Sequence, residues 1–428
     1  MSASQSGTSP KPNENLGTMS SRRKAPLMTG AGIAVVIVVA IIAVVAGWLV
    51  GYYVTPNKGS STSYGTTITE LGSSLLAPAV IDQWGPNFTA QNPGILVSGA
   101  AGGSGMGQVY AQKGLVDIGG SDAYISNASA TNLINFPMAI SSQLIYYNLP
   151  GVSAHLNMNA TFLADVYLGT LTNWNNSLLQ AANPGVSLPN HAIIPVARSD
   201  SSGDTFLFTS YLYMGDAAWN TSGHGYSTGK LSGHLASNIV YASGNGGMVT
   251  ALTGTGGQYA IAYIGVSYQA QAAAAGLVYA NLGDNLANSA SGGTVASHYV
   301  AWSAQNVSYD ANLALTKLQF STYGLALSMI MGGPAGGAID LVAGAGGTSP
   351  TTANPTPYPD VNLEYGLVKT TGAPGGPTQS WYVVQFLQWV ITIGNLPQYL
   401  NPVHFLPLTT AVVADCYTEL LSIQTSQP

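Results

Sequence analysis

Residues 31–50 form a run of twenty with no charge and no proline, and this stretch constrains the chain more than any other. At about 1.5 Å per residue, a helix of that length covers roughly 30 Å of hydrocarbon. Arg22, Arg23 and Lys24 precede the run, and Trp48, Tyr52 and Tyr53 fringe its far end. The positive-inside rule therefore puts 1–26 in the cytoplasm and everything beyond about residue 55 outside the cell. The run exceeds the roughly 7–15-residue apolar core of a cleaved signal peptide and follows a long polar tail, so it reads as a retained anchor. The expected organisation is a disordered cytoplasmic tail at 1–26, a transmembrane anchor at 27–54, a Gly/Ser/Thr-rich linker at 55–65 and an outer segment beyond.

Charge follows the same division. Lys11, Arg22, Arg23 and Lys24 against Glu14 give the first 26 residues +3, whereas from residue 51 onward six bases face fifteen acids, a net −9. Only 6% of the 428 residues are charged, against about 25% in typical soluble domains, so hydroxyls, amides and backbone must wet the surface. That is a poor fit to an ordinary cytosolic enzyme and suits an acidic medium. No basic run follows residue 24, so the footprint of a nucleic-acid binder is missing. With 46% hydrophobic residues there is enough to build a sizeable core. A single cysteine, Cys416, excludes an internal disulfide framework and any multi-cysteine metal site. Six N-x-[ST] sequons, at Asn87, Asn127, Asn159, Asn175, Asn220 and Asn306, are consistent with outer placement.

The outer segment alternates strands with helices, the grammar of an α/β protein. A strand at 66–71 runs into Gly72-Ser73-Ser74 and then apolar residues at helical spacing, Leu75, Leu76, Ala79, Val80 and Trp84. A strand at 95–97 is followed by the glycine-rich 98–107 and a helix with Val109 and Tyr110. A further strand at 115–118 ends at Gly119-Gly120-Ser121-Asp122, and one at 193–197 opens into 198–204 before the apolar helix 206–212. The stretch 323–345 contains Pro334 and Asp340 and reads as a buried helix plus loop, not a second span, and 344–359 reads as a long loop. No repeat of 20–50 residues is present, which argues against a solenoid.

Three times a strand ends in small hydroxyl-bearing residues as a helix begins: Gly72-Ser73-Ser74, Gly102-Gly103-Ser104-Gly105 and Ser201-Ser202-Gly203. Unpaired N–H groups, the positive end of the helix dipole and serine hydroxyls make each a candidate anion site, although serine is also an ordinary cap. Arg198 is the only arginine of the outer segment. Its planar fork in a Ser/Gly loop suits bidentate pairing with an oxyanion, or a structural pair with Asp200. His155, His191, His224, His234, His298 and His404 have no metal-ligand spacing, and no G-x-S-x-G elbow marks a nucleophile. No catalytic residue, metal or cofactor is expected.

The run Arg198-Ser199-Asp200-Ser201-Ser202-Gly203-Asp204-Thr205-Phe206, with Leu207-Phe208-Thr209-Ser210-Tyr211-Leu212 after it, resembles the signature of the phosphate-binding subunits that serve ABC transporters, within the type 2 periplasmic-binding-protein superfamily. Gly72-Ser73-Ser74-Leu75 resembles that family's first phosphate loop, Gly103-Ser104-Gly105 its second, and Val116-Asp117-Ile118-Gly119-Gly120-Ser121-Asp122 the segment carrying its aspartate. Asp165-Val166-Tyr167-Leu168-Gly169 with Trp174, Gly244-Asn245-Gly246-Gly247 and Ala260-Ile261-Ala262-Tyr263-Ile264 follow in family order, so the resemblance spans roughly 66–420. It implies a two-lobed α/β fold with two crossing strands: one lobe from 66–145 plus about 358–428, the other from 146–357 with an insertion near 285–357.

The resemblance also implies what the domain does. It would capture inorganic phosphate outside the cell and deliver it to an ABC permease, as a glycosylated, archaeal, single-pass membrane-anchored form with no nucleic-acid partner. Ser74, the Leu75 backbone, Ser104 and Asp122 would face the ligand from one lobe, and Arg198, Ser202, Gly203 and Asp204 from the other. Asp204 departs from the family, which has threonine or serine there. A second carboxylate repels an anion, so either the ligand carries more protons, or Asp204 is neutral, or its side chain turns away to cap the helix. Other tetrahedral oxyanions such as sulfate, molybdate or tungstate are the alternative, disfavoured because Asp122 only accepts hydrogen bonds when ionised. A second alternative is an adhesion or surface-layer component reusing the fold, and a hydrolase is a third.

Overall fold

The β-branched run Thr66-Thr67-Ile68-Thr69, with Ile68 and Glu70 buried on one face, makes 66–72 a strand, β1 (Thr66–Gly72), in the computed structural model of the chain. The structure describes residues 65–125, 132–283, 299–315, 320–321, 324–325 and 358–428. The expected tail, anchor and sequon Asn127 lie outside the described residues, as does nearly all of 323–357. So do all of the 55–65 linker except Gly65 and most of the expected insertion. Among the described residues no helix is long and apolar enough to cross a membrane.

After β1, a turn of helix at Ala79–Trp84 continues into α1 (Gly85–Gln91) and leads to β2 (Ile95–Ala101), α2 (Ser104–Lys113) and β3 (Ile118–Ser121). The sequence expected the third strand at 115–118, with Gly119-Gly120 as its terminating turn. The strand instead runs through the glycines, because the chain needs flat backbone there. A Cβ on Gly119 would lie 2.3 Å from the Gly107 carbonyl of α2, and one on Gly120 would lie 2.2 Å from the Glu70 carboxyl.

The long strand β4 (Leu133–Tyr147) is buried along all fifteen residues. It is followed by α3 (Ala160–Leu168), β5 (Ile194–Arg198), α4 (Gly203–Gly215), β6 (Val240–Ala242), α5 (Gly244–Thr253) and β7 (Ala260–Gly265). The chain closes with β8 (Val361–Lys369), α6 (Pro377–Thr392) and α7 (Thr410–Ser422). Helix α3 starts at Asn159, whose side chain accepts from the Phe162 N–H. That asparagine is only 3% exposed, so its sequon is not available to a glycan in the folded domain.

The principal strands lie in the order β2-β1-β3-β8-β4-β7-β5-β6. Strands β1, β2 and β3 are parallel, as are β5, β6 and β7, whereas β4 and β8 run antiparallel to their neighbours. Strand β4 belongs to both halves. Its residues 133–142 pair with β8, from Leu133 opposite Lys369 to Ser142 opposite Val361, and its residues 143–147 pair with β7. Two α/β lobes are thereby joined through β4 and the returning β8. The register of β8 slips between Glu364, opposite Ala139, and Tyr365, opposite Pro137. Pro137 has no N–H to give the ladder, and the bulge that follows re-aims Glu364.

Candidate functional site

Five strand ends converge where the lobes meet, four of them leading into helices. From the first lobe come the 72–76 turn, the start of α2 and Asp122 just past β3; from the second come 198–204, the start of α4 and the start of α5. Ser202 has extended backbone and caps α4, its Oγ accepting from the Asp204 N–H at 3.1 Å. Gly103 starts α2 at φ 87°, where a Cβ would also lie 2.5 Å from the Ser201 carbonyl of the facing lobe. The Gly105 N–H donates to that same carbonyl at 3.1 Å.

Seven of the eight residues expected at the site gather there through side chains or close backbone. Ser74 Oγ accepts from the Asn245 N–H (3.2 Å) and Nδ2 (3.0 Å), a contact that bridges the lobes. Ser104 and Asp122 bond reciprocally, the hydroxyl donating to Oδ2 (3.2 Å) and the Asp122 N–H to the hydroxyl (3.1 Å). A Cβ on Gly203 would lie 2.4 Å from Asp122 Cβ and 2.6 Å from Ser104 Oγ, so only glycine lets α4 approach the first lobe this closely. Arg198, Ser202 and Asp204 are buried beside them. Leu75 differs from expectation. Its N–H donates to Ser73 Oγ at 2.9 Å, and Ser73 also takes the Leu76 N–H, because Ser73, not Ser74, opens this helical turn.

Arg198 holds two carboxylates. Nε and Nη2 form a bidentate pair with Asp200 at 2.8 and 2.5 Å, and Nη1 donates to Asp204 Oδ2 at 2.5 Å. Its backbone N–H donates to the Tyr263 hydroxyl, which also shares a hydrogen bond with Thr205. The structural pair with Asp200 is therefore present. Asp204 does not turn away, the third possibility raised by the sequence. It is fully buried and also receives Asn245 Nδ2 (2.8 Å) and Gln143 Nε2 (3.3 Å).

The electrostatics divide sharply. Burial pushes Asp200 up, but the hydrogen bonds and charge of Arg198 outweigh it and leave the group below its ordinary value. Burial raises Asp204 in spite of Arg198. Burial and the Asp204 charge push Asp122 up to about 6. Burial also pushes Glu70 up to about 8, against the backbone N–H groups of Ala100 and Gly120. Burial, then the Asp122 charge, holds Glu364 well above its ordinary value, and Asp360 is raised by burial and Asp204. Among the described residues no group of three or more His, Cys, Asp or Glu is arranged to hold a metal ion.

The sequence places Ser73 in a candidate anion loop without giving it a role of its own, and it does not single out Asn245, Gln143, Glu70 or Glu364. Asn245 belongs to the motif Gly244-Asn245-Gly246-Gly247, and its place at the start of a helix is its signal. Glu364 had none, since only the return of β8 brings it beside Asp122.

Residues 56–344 match the family model described as a PBP superfamily domain. A phosphate-binding protein PstS of Methanocaldococcus jannaschii is 30% identical over 201 residues, 44% of this chain and 50% of that protein. The phosphate-binding protein PstS of Xylella fastidiosa is 32% identical over 210 residues, 46% of this chain and 57% of its own length. The chain thus matches a little over half the length of these curated relatives. A solved high-affinity periplasmic phosphate-binding protein with bound phosphate (PfluDING) superposes with a TM-score of 0.58 at 20% identity, over 82% of this chain and 93% of that one. At that identity the likeness concerns the fold.

Proposed function

The chain belongs to the PBP superfamily, and from that premise we propose that its two lobes capture inorganic phosphate between them and pass it to an ABC-transporter permease, catalysing no reaction. One observation carries the reading. Arg198, three serines at helix starts and an acceptor carboxylate, Asp122, converge from two lobes on one buried point. Donors at helix N-termini favour an oxyanion, and the ionised carboxylate favours one that still carries a proton. The names of the relatives PstS support the same ligand. The expected site residues Ser74, Ser104, Asp122, Arg198, Ser202, Gly203 and Asp204 fill these roles in the proposal, with Ser73 and Asn245 holding the loops.

The same proposal keeps the domain outside the cell, tethered by the apolar run 31–50, with one lobe from 66–145 plus about 358–428 and the other from 146–357. Calorimetry of the purified full-length chain, titrated with phosphate and with sulfate, tests the ligand. Phosphate is expected to be strongly preferred, and Asp122→Asn, which offers a donor instead of an acceptor, is expected to narrow the preference by about tenfold or more, the worth of one good hydrogen bond to a charged group. Equal binding of the two anions by the wild type overturns the reading.

A further inference from the structure

Glu364 lies in the middle of the returning strand β8 and is fully buried. The bulge beside it and its spacing from Asn362 put both side chains on the face that meets Asp122. Asn362 Nδ2 donates to the Asp122 carbonyl at 2.8 Å, and the Asp122 and Glu364 carboxyls are within hydrogen-bonding reach of each other. Ser141 Oγ donates to Glu364 Oε1 at 2.5 Å, and Asn362 Nδ2 approaches the same oxygen at 3.4 Å. The other oxygen, Oε2, and Asp122 Oδ1 are both buried with no donor from any other group among the described residues. Two ionised carboxylates cannot share such a place. One proton between them removes the repulsion and supplies the missing donor.

We propose that Glu364 is the positioning residue for Asp122: its neutral carboxyl donates to Asp122, keeps that group an ionised acceptor, and so makes the cleft select an oxyanion that carries a proton. This rests on the phosphate reading for the ligand, but the proton-sharing pair stands on the side chains alone. The surroundings favour it. Asp204 adds negative charge near the pair, Glu70 is held neutral by its burial, Tyr365 is the neighbouring residue of β8, Asp360 lies two residues before Asn362, and Ser104 bonds to Asp122 with Ser73 beside it. Arg198 is the one cation acting on Asp122 among the described residues, and it is already matched to Asp200 and Asp204. The pair titrates as a unit: with one proton it accepts from the ligand, with none it repels the ligand, and with two it turns into a donor and the selectivity falls.

The experiment is phosphate and sulfate affinity of the full-length wild type, Glu364→Gln and Glu364→Met across pH 4–9, with infrared difference spectra of the ligand-free proteins. Glutamine has the shape of the neutral acid and still donates. E364Q is expected to match wild type in acid and to keep its affinity as pH rises, while wild type loses up to about tenfold per pH unit above the upper titration step of the pair. The contribution of Asp204 is common to both proteins and cancels in their ratio. E364M leaves Asp122 without its donor and is expected to lose phosphate-over-sulfate preference at every pH. The spectra are expected to lose one protonated-carboxyl band in E364Q. Parallel affinity profiles for wild type and E364Q, or an unchanged carboxyl band, overturn the proposal. If wild type binds no phosphate at any pH, the phosphate reading fails, and the infrared band alone then decides whether the pair shares a proton.

Discussion

Asp200 and Asp122 are both aspartates at the seam between the lobes, and they are held in opposite states. Asp200 has the Arg198 fork across both oxygens and ionises more readily than an ordinary aspartate. Asp122 is more deeply buried, meets hydroxyls and another acid, and is pushed up to about 6. Burial raises both, so burial does not explain the difference. What decides it is reach: Arg198 pairs with Asp200 and Asp204, and no ion pair among the described residues extends to Asp122. The second lobe is therefore organised by charge, and the first by protons.

The sharpest way to break this contrast is Arg198→Ala. It leaves two carboxylates and any bound anion without their cation, a loss of about 2–5 kcal/mol. Phosphate affinity is expected to fall roughly 30-fold to several thousandfold, and the Asp200 pKa is expected to rise above its ordinary value, so that the two aspartates come to resemble each other. Calorimetry and carboxyl NMR titration measure the two effects, and an undiminished affinity in a folded variant removes Arg198 from the site.

Glu70 sharpens the comparison from the side of the protons. Its pKa is raised from 4.5 to about 8, so the stability it contributes is present in full below pH 4.5 and is lost as the pH climbs through 8. Over that window the wild type is expected to lose on the order of a few kcal/mol, at about 1.4 kcal/mol per pKa unit. Glu70→Gln cannot ionise and is expected to flatten the decline. Thermal midpoints of the two proteins from pH 4 to 9 provide the comparison, and curves that stay parallel show that Glu70 is not held neutral.

Asp204 stands between the two regimes, since Arg198 touches it and burial nevertheless raises it. As pH rises through that pKa it gains a charge beside the ligand and binding weakens. Asp204→Thr removes the charge and frees Nη1 of Arg198, so phosphate is expected to bind about tenfold more tightly near neutral pH, worth about 1.4 kcal/mol, with a flatter pH profile. Unchanged affinity at pH 7 would place Asp204 with Asp200, as a carboxylate wholly absorbed by the arginine.

These distinctions were only partly legible in the sequence. The alternation of strands and Ser/Gly helix starts was readable because each signal is local, and Arg198 drew notice because bases are so scarce. Gly119-Gly120 misled because glycine is usually punctuation, whereas here it makes room for Glu70 and α2. The Ser73–Leu75 bond was hidden because either serine of Ser73-Ser74 is an acceptable cap. Glu364 was beyond reach in principle: it sits 242 residues from Asp122 in the chain, and only strand order brings them together.

The place of β8 bears on how the chain is made. It lies between β3 and β4, yet it is the last of the sheet's strands to be synthesised, more than 200 residues after β4. At about 5–20 residues per second that is a lag of roughly 10–40 s. By residue 265 the second lobe has β5, β6 and β7, while the first still has an unfilled slot flanked by the open edges of β3 and β4. The amino-terminal lobe is the later one to be completed, and its two exposed edges are where a nascent chain is most open to pairing with the wrong strand.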